Sequence, residues 1–505
     1  MLLILAVSAL LAPWIAAAIG AVTPGAPSRG ARLAATMTGL GFLAVVALTV
    51  VVMAGGTPAP QLGGELVAAR FDALALILAL LVLGLATVIQ SFALRYLRAD
   101  PRHRWFVVSA SALTGSTMLM LTASSVLLFA LAWLAAGVAL VLLLNTYPRL
   151  EQARTGVRRT ARRFAVGDAA LVLAVTTLLI LGGPTLALNE VGAVFTDAPG
   201  WLAVTLGLLL VAPALARSSQ IPFQGWLPAT LAAPTPVSAL LHAGVVNSGA
   251  ILLIRFSSGL AESAIVMGVI FAAGAATVVA ATAVRLVKPD VKGRLVFSTM
   301  GQMGFMIMAC GLGAFAAAIF HMVAHGLYKS TLFLSAGSGI RRRAVQRAWP
   351  DRQTTPLLGT VVVAALAVLV SVVVVAGARA TVAPDISAAS LALLAFVIIT
   401  GAVTSAATLR ARLSVTTAAV TLTTLVVLVL AYTATVAAVE TLLPPIAATG
   451  AVSAWWVLAP ALMLVVVQAC ASPRTRTPFT AGIIDRVYVR SLSASIPRLT
   501  LSKGI

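Results

Sequence analysis

An all-α polytopic membrane fold of about 14–15 spanning helices is what this sequence predicts, and three observations predict it. The 505 residues are 61% hydrophobic and only 9% charged, where an ordinary soluble domain carries roughly 25% charged residues. Apolar runs of about 20 residues recur along the whole chain, each long enough to cross a hydrocarbon core as a helix. The basic residues gather in every second connection between those runs, the arrangement that orients a membrane protein. A transmembrane barrel would need alternating strands closed on themselves, and the sequence has no such alternation.

Taken in order, the runs lie near 1–22, 31–54, 72–94, 105–121, 123–146, 166–184, 200–220, 236–256, 264–286, 295–312, 314–338, 356–378, 387–409, 414–440 and 451–471. The first, MLLILAVSALLAPWIAAAIGAV, lacks the basic front of a cleavable leader and reads as a span. Arg29 and Arg32 follow the first run, RYLRADPRHR the third, RLEQARTGVRRTARR the fifth and RLVKPDVKGR the ninth. RRRAVQRAWPDR follows the eleventh, RAR the thirteenth, and a basic tail from residue 473 the fifteenth. Connections after even-numbered runs carry Glu65, Glu190, Asp197, Glu262 and Glu440 instead. Positive charge stays on the cytoplasmic side, so the N-terminus is expected outside and the C-terminus in the cytoplasm of a cell bounded by this membrane. The tail is too polar to span. It is expected either to lie along the inner surface or to meet a cytoplasmic partner.

The net charge of +21 does not point to nucleic acid, because the cations sit in short loops between spans. Cys310 and Cys470 are far apart in apolar surroundings and supply neither a disulfide framework nor a metal motif. No cofactor is implied.

Ionisable groups at membrane depth are costly and point to function. His242, His321 and His325 fall inside runs, Lys329 is the one lysine inside a run, and Asp168 opens the sixth run in RRFAVGD. In FHMVAHGLYKSTLF, His321, His325 and Lys329 are spaced by four. Each step advances about 6 Å and turns about 40°, so the three form one stripe. Imidazole titrates near neutrality and a desolvated lysine is brought toward that range, so the stripe suits a proton relay with water between its members. Two histidines four apart also suit zinc, although a lysine one turn on opposes a dication. A structural role, with the histidines bonded to facing helices, is the third reading.

The second feature is ARSSQIPFQGWLPATLAAPTPVSALLHAGVVNSGA, residues 216–250. An apolar helix meets Arg217 and then Pro222, Pro228, Pro234 and Pro236, which remove backbone donors and break helices. Irregular backbone at membrane depth survives only inside protein or against a wet cavity. A re-entrant break at the seventh span is expected, against the simpler alternative of a surface loop.

Two stretches resemble the antiporter-like membrane subunits of respiratory complex I and the Mrp sodium/proton antiporters. They are SSQIPFQGWLPATLAAPTPVSALLHAG and RLVFSTMGQMGFMIMACGLGAFAAAIFHMVAHGLYKSTLFLSAGS. With FDALALIL and RRFAVGD, the likeness covers roughly residues 70–340. It implies two inverted five-helix repeats, near 104–258 and 259–412, between N-terminal helices over 1–103 and C-terminal ones over 413–472. It implies a broken seventh helix and a proton path along a central polar axis. Lys329 would be the central lysine, His321 and His325 its bridging histidines, and His242 a path residue on the eighth span. Asp168 would be an acid near the cytoplasmic side of span six. Arg217 would stand where the family has a lysine.

The departures are as informative. The family's glutamate on helix five corresponds here to Leu134 in LAWLAAGVAL, and the twelfth run has neither a proline break nor a lysine. Arginine is not deprotonated in proteins and does not hand on a proton as lysine does. Within the superfamily, GQMGFM, CGLGAF and HAGVVNSGAILL look most like the membrane subunit of the DAB inorganic-carbon accumulation complex. That likeness implies a transporter subunit rather than a catalyst by itself. It would couple a proton or sodium gradient to carbon dioxide and bicarbonate uptake by a cytoplasmic DabA-like zinc protein. A proton-translocating subunit of an NADH-quinone oxidoreductase, membrane hydrogenase or Mrp-type complex is the alternative, and an inert scaffold the third reading.

Overall fold

The computed structural model describes residues 1–337 except 24–26, 56–59 and 289, then chiefly 387–396, 415–442 and 448–470. The twelfth predicted run, most of the thirteenth and, isolated positions aside, the tail lie outside these residues.

The described residues are chiefly helical, with one small hairpin among them. Helices α1 (Leu2–Val22) and α2 (Pro27–Gly55) pack against each other. Strands β1 (Gln61–Gly63) and β2 (Ala68–Arg70) pair antiparallel across a turn that Gly63 enters at φ +86°. Asp72 then caps α3 (Ala73–Tyr96) by accepting from the Ala75 amide at 2.8 Å, which satisfies one of the orphan donors of a helix start. Next come α4 (His103–Thr122) and α5 (Val126–Leu144), the latter capped by Ser125. They are followed by α6 (Glu151–Gly182), α7 (Val191–Asp197) and α8 (Gly200–Arg217). Beyond a non-helical stretch lie α9 (Thr235–Ala243), α10 (Ser248–Arg255) and α11 (Ser257–Leu260). Helices α12 (Ala264–Val287), α13 (Val291–Gly311) and α14 (Phe315–Leu334) follow. Further on are α15 (Val415–Leu442) and α16 (Leu458–Cys470).

Nine helices among the described residues are long and apolar enough to cross a membrane. The predicted runs fall on helices wherever they are described. Two differences are instructive. Helix α6 begins at Glu151 rather than at the start of the apolar run, so the arginine-rich stretch expected to be a loop is helical. Nothing in RLEQARTGVRRTARR breaks a helix except one glycine, and arginine, alanine and glutamine are good helix formers. The eighth span is not continuous either: a 3₁₀ turn at Val245–Asn247 separates α9 from α10.

The seventh span ends as expected. Helix α8 stops at Arg217, and the chain runs irregularly to Pro234 apart from a 3₁₀ turn at Leu227–Thr230. Its polar groups find partners from several directions. The Trp226 indole donates to the Ala216 carbonyl at 2.8 Å, and the Ile221 amide donates to the Thr277 hydroxyl on α12 at 3.0 Å. Lys292, in the first turn of α13, donates to the Leu231 carbonyl at 2.6 Å and to that of Ala233. Buried backbone groups need such partners, and these bonds tie the stretch to α8, α12 and α13.

Candidate functional site

Helix α14 carries the stripe that the spacing predicts. The rings of His321 and His325 stack at 6.0 Å with 15° between their planes, as a separation of four residues requires. One turn on, Lys329 is 0% exposed. Its ammonium donates to the Ser298 hydroxyl at 2.8 Å and to the Leu295 carbonyl at 3.4 Å, both on α13. Small residues such as Gly326 and Ser330 lie on the same buried side. Both ring nitrogens of His325, and Nε2 of His321, lack a hydrogen-bond partner among the described residues. A structural histidine bonded to a facing helix would have one, because buried polar atoms are normally satisfied. Phe305 of α13 packs on His321 at 5.0 Å.

His242 joins this group from α9. It is buried, and its ring stacks on Phe333 at 4.3 Å and 5°, one turn past Lys329. It lies within electrostatic reach of Lys329 and Lys292, and His325 feels His321, Lys329 and His242. His242 stands immediately before the interruption at Gly244–Asn247, where the helix path turns. That interruption is tied to the other one: the Ser218 hydroxyl, just past Arg217, donates to the Val246 carbonyl at 2.8 Å. Gly249 lets the two backbones meet, since a Cβ there would fall 2.2 Å from the Ala214 carbonyl oxygen.

Arg217 and Asp168 form a second group. Arg217, the last residue of α8, is 0% exposed and donates through Nη2 to Asp168 Oδ1 at 3.1 Å and to the Trp133 carbonyl at 3.0 Å. The Trp133 indole donates to the same carboxylate oxygen at 2.9 Å. Its guanidinium carbon lies 4.6 Å from the Trp133 ring centroid and 4.4 Å from that of Phe164. Gly137 leaves the space it fills: a Cβ there would stand 2.3 Å from Nη2. Leu134, in the place expected of a glutamate, is half-buried and packs on the core. The carboxylate partner therefore comes from α6 instead of α5. A permanently charged, ring-flanked arginine can hold charge and geometry here but does not relay a proton.

The sequence-derived residues thus fall into two groups. His321, His325, Lys329 and His242 are together; Arg217 and Asp168 are together; the hydrogen bond between Ser218 and Val246 links the two helix breaks. Ser298, Lys292, Trp133, Phe164 and Phe333 were missed. Lys292 precedes its apolar run and looked like a topology signal, while nothing in a sequence marks a serine or an aromatic ring as the partner of a charge two helices away.

Similarity to known proteins agrees with the fold. A family described as NADH:quinone oxidoreductase/Mrp antiporter, transmembrane, matches residues 123–381. The chain is 35% identical over 323 residues to "Probable inorganic carbon transporter subunit DabB1" of Halothiobacillus neapolitanus, covering 62% of this chain and 57% of that one. It is 32% identical over 275 residues to "NADH-ubiquinone oxidoreductase chain 5" of Neurospora crassa, covering 54% and 38%. The matched stretch thus spans 57% or less of these relatives' own length. The fold is similar to that of a chain in the Mrp complex from Dietzia sp., with a TM-score of 0.59 and 24% identity over 97% of this chain and 52% of that one.

Proposed function

Because the chain belongs to the NADH:quinone oxidoreductase/Mrp antiporter transmembrane family, we propose that it is the cation-conducting membrane subunit of an inorganic-carbon uptake system. The observation that carries the reading is the row of buried His325 and Lys329 with partly buried His321, three of whose ring nitrogens have no hydrogen-bond partner among the described residues. In lipid such a row is retained for what it does. Lys329 exchanges its proton with His325, His325 with His321, and His242 adds a fourth station at the helix break. Each transfer breaks one N–H bond and makes another, with water carrying the proton across gaps wider than a hydrogen bond. Arg217 and Asp168 hold a fixed field beside this route and do not conduct.

Two features support carbon uptake over respiratory pumping. DabB1 is among the relatives, and Arg217 stands where a proton-passing lysine would be needed, with Leu134 in the place of its glutamate. The cytoplasmic membrane of a bacterium is the setting, with the N-terminus outside and the basic connections inside. The partner is a cytoplasmic DabA-like zinc protein that carries the hydration chemistry, since the chain spends three of its four histidines on the path. The second reading, a subunit of an NADH-quinone oxidoreductase or Mrp-type complex, is favoured by the chain 5 relative.

The test is growth. The chain is expressed with its large cytoplasmic neighbour in cells that lack carbonic anhydrase and do not grow in air, beside Lys329→Ala. Rescue by the native pair alone supports carbon uptake through Lys329. No rescue, with both proteins verified in the membrane, moves the reading to a respiratory or antiporter assembly.

A further inference from the structure

Beyond the stripe, and resting on the reading of it as a proton path, we propose that Glu440 on α15 is the terminal proton site at its outer end. The row has a direction. His321 lies in the second turn of α14, and Lys329 lies toward the other end, where Ser298, Leu295 and Lys292 follow one another on α13. His321 is therefore the end that needs a way out. Helix α15 covers that end: Tyr432 packs edge-on against Phe320, the neighbour of His321, at 5.1 Å. The Tyr432 hydroxyl donates to the Ser390 carbonyl at 3.4 Å. The hydroxyls of Ser390 and Ser387 both lie 3.0 Å from Glu440 Oε1, and the two are 2.9 Å from each other. Phe396, on the same helical stretch as Ser390, packs on Phe305, which itself touches His321. These ring contacts and hydrogen bonds connect the His321 end of the stripe to Glu440.

The surroundings suit the role. Tyr432 and Ser390 are buried, while Glu440 is only half-buried. Two residues on, Leu442 lines an open cleft of about 940 Å³ that also holds Glu65, Asp72, Glu190 and Glu262. Its four carboxylates, Asp72 among them paired with Arg255, outnumber the guanidiniums of Arg70 and Arg255, which favours cations at this mouth of a strongly basic chain. A hydronium ion in that cleft breaks one O–H bond, leaving water, and its proton forms an O–H bond on Glu440. That bond breaks as the proton passes through the Ser390 and Tyr432 hydroxyls and intervening water to His321, and the carboxylate is restored. The simpler role for Glu440, accepting from the two serines so as to fix the start of the helical stretch 388–396, needs only an acceptor oxygen. The proton role needs a group that titrates.

Glutamine separates the two roles, because its amide oxygen still accepts from both serines but takes no proton. Membrane vesicles are prepared from the native cells carrying chromosomal Glu440→Gln, Glu440→Asp, Tyr432→Phe or Lys329→Ala, with sodium replaced by choline. An imposed pH gradient is followed with an entrapped pH-sensitive dye, and chain abundance is checked by immunoblot. Glu440→Gln is expected to lower proton flux by about 10²-fold, the low end for a lost acid–base group, while Glu440→Asp keeps most of it. Tyr432→Phe, which retains the ring on Phe320, lowers flux as well and serves as the readout if Glu440→Gln does not accumulate. Wild-type flux in Glu440→Gln, with flux abolished in Lys329→Ala, overturns the terminal site and leaves the stripe standing. If Lys329→Ala conducts as the wild type does, the stripe itself fails and the terminal site fails with it.

Discussion

Arg217 at the end of α8 and Asp168 on α6 are joined across 3.1 Å, with the guanidinium between the rings of Trp133 and Phe164. The pair explains how the chain tolerates a permanent cation in its interior. Neither residue alone suits the site: a buried arginine needs a counter-charge, and the carboxylate gains a second donor from the Trp133 indole. Aromatic faces add attraction that a lysine ammonium would share less well, because the planar guanidinium stacks.

Asp168→Asn is expected to destabilise the chain. Breaking a buried pair costs about 3–5 kcal/mol, and the low end applies because the Asp168 side chain is 20% exposed. The double substitution Asp168→Leu with Arg217→Met removes both charges and recovers most of the loss. Thermal unfolding in detergent, followed by tryptophan fluorescence, measures both. A double variant as unstable as the losses of Asp168→Leu alone and Arg217→Met alone added together would show that the pair does not act as a unit.

The Lys329 ammonium on Ser298 leads to a different expectation. Lys329→Arg keeps the charge and the hydrogen-bond donors but removes a proton that can leave. Proton flux in vesicles is therefore expected to fall to the level of Lys329→Ala, with Ser298→Ala falling less. Full flux in Lys329→Arg would mean that the positive charge alone matters.

His242 stacks flat on Phe333. His242→Phe preserves a ring there and discards the titrating nitrogens. The thermal midpoint is expected to stay close to the wild-type value, while flux drops by about 10²-fold. Unchanged flux would make His242 a packing residue.

Much of this was legible in the sequence, for physical reasons. A spacing of four fixes a helical stripe whatever surrounds it, so His321, His325 and Lys329 were found together before their neighbours were known. Four prolines between Pro222 and Pro236, soon after Arg217, announce the first break. The second break gave a fainter signal, because glycine and asparagine in HAGVVNSG do not forbid a helix; the chain turns there so that α10 can approach α8 at Gly249. The match between Asp168 and Arg217 was out of reach. Both were singled out, yet only packing of α6 on α8 decides that the carboxylate comes from span six and not from span five.

Gly156 gives the last prediction. It lies in the arginine-rich first half of α6, where a Cβ would stand 2.5 Å from the Ala229 carbonyl oxygen. A backbone oxygen cannot swing aside as a side chain does, so Gly156→Ala must push the 3₁₀ turn Leu227–Thr230 away. That turn starts beside Trp226, whose ring meets Phe164 edge-on at 5.0 Å, and Phe164 in turn covers Arg217. Overpacking of this kind costs about 1–3 kcal/mol, and here the strain is expected to reach the Arg217–Asp168 pair through those two rings. Gly225 lies in the same irregular stretch, and a Cβ there meets nothing within 4 Å, so Gly225→Ala is the matched control. Thermal unfolding of both variants in the Asp168→Asn background separates local strain from transmitted strain. If Gly156→Ala acts through the pair, its cost shrinks once Asp168 no longer carries a charge. If the cost is the same in both backgrounds, α6 packs on the break without influencing the buried arginine.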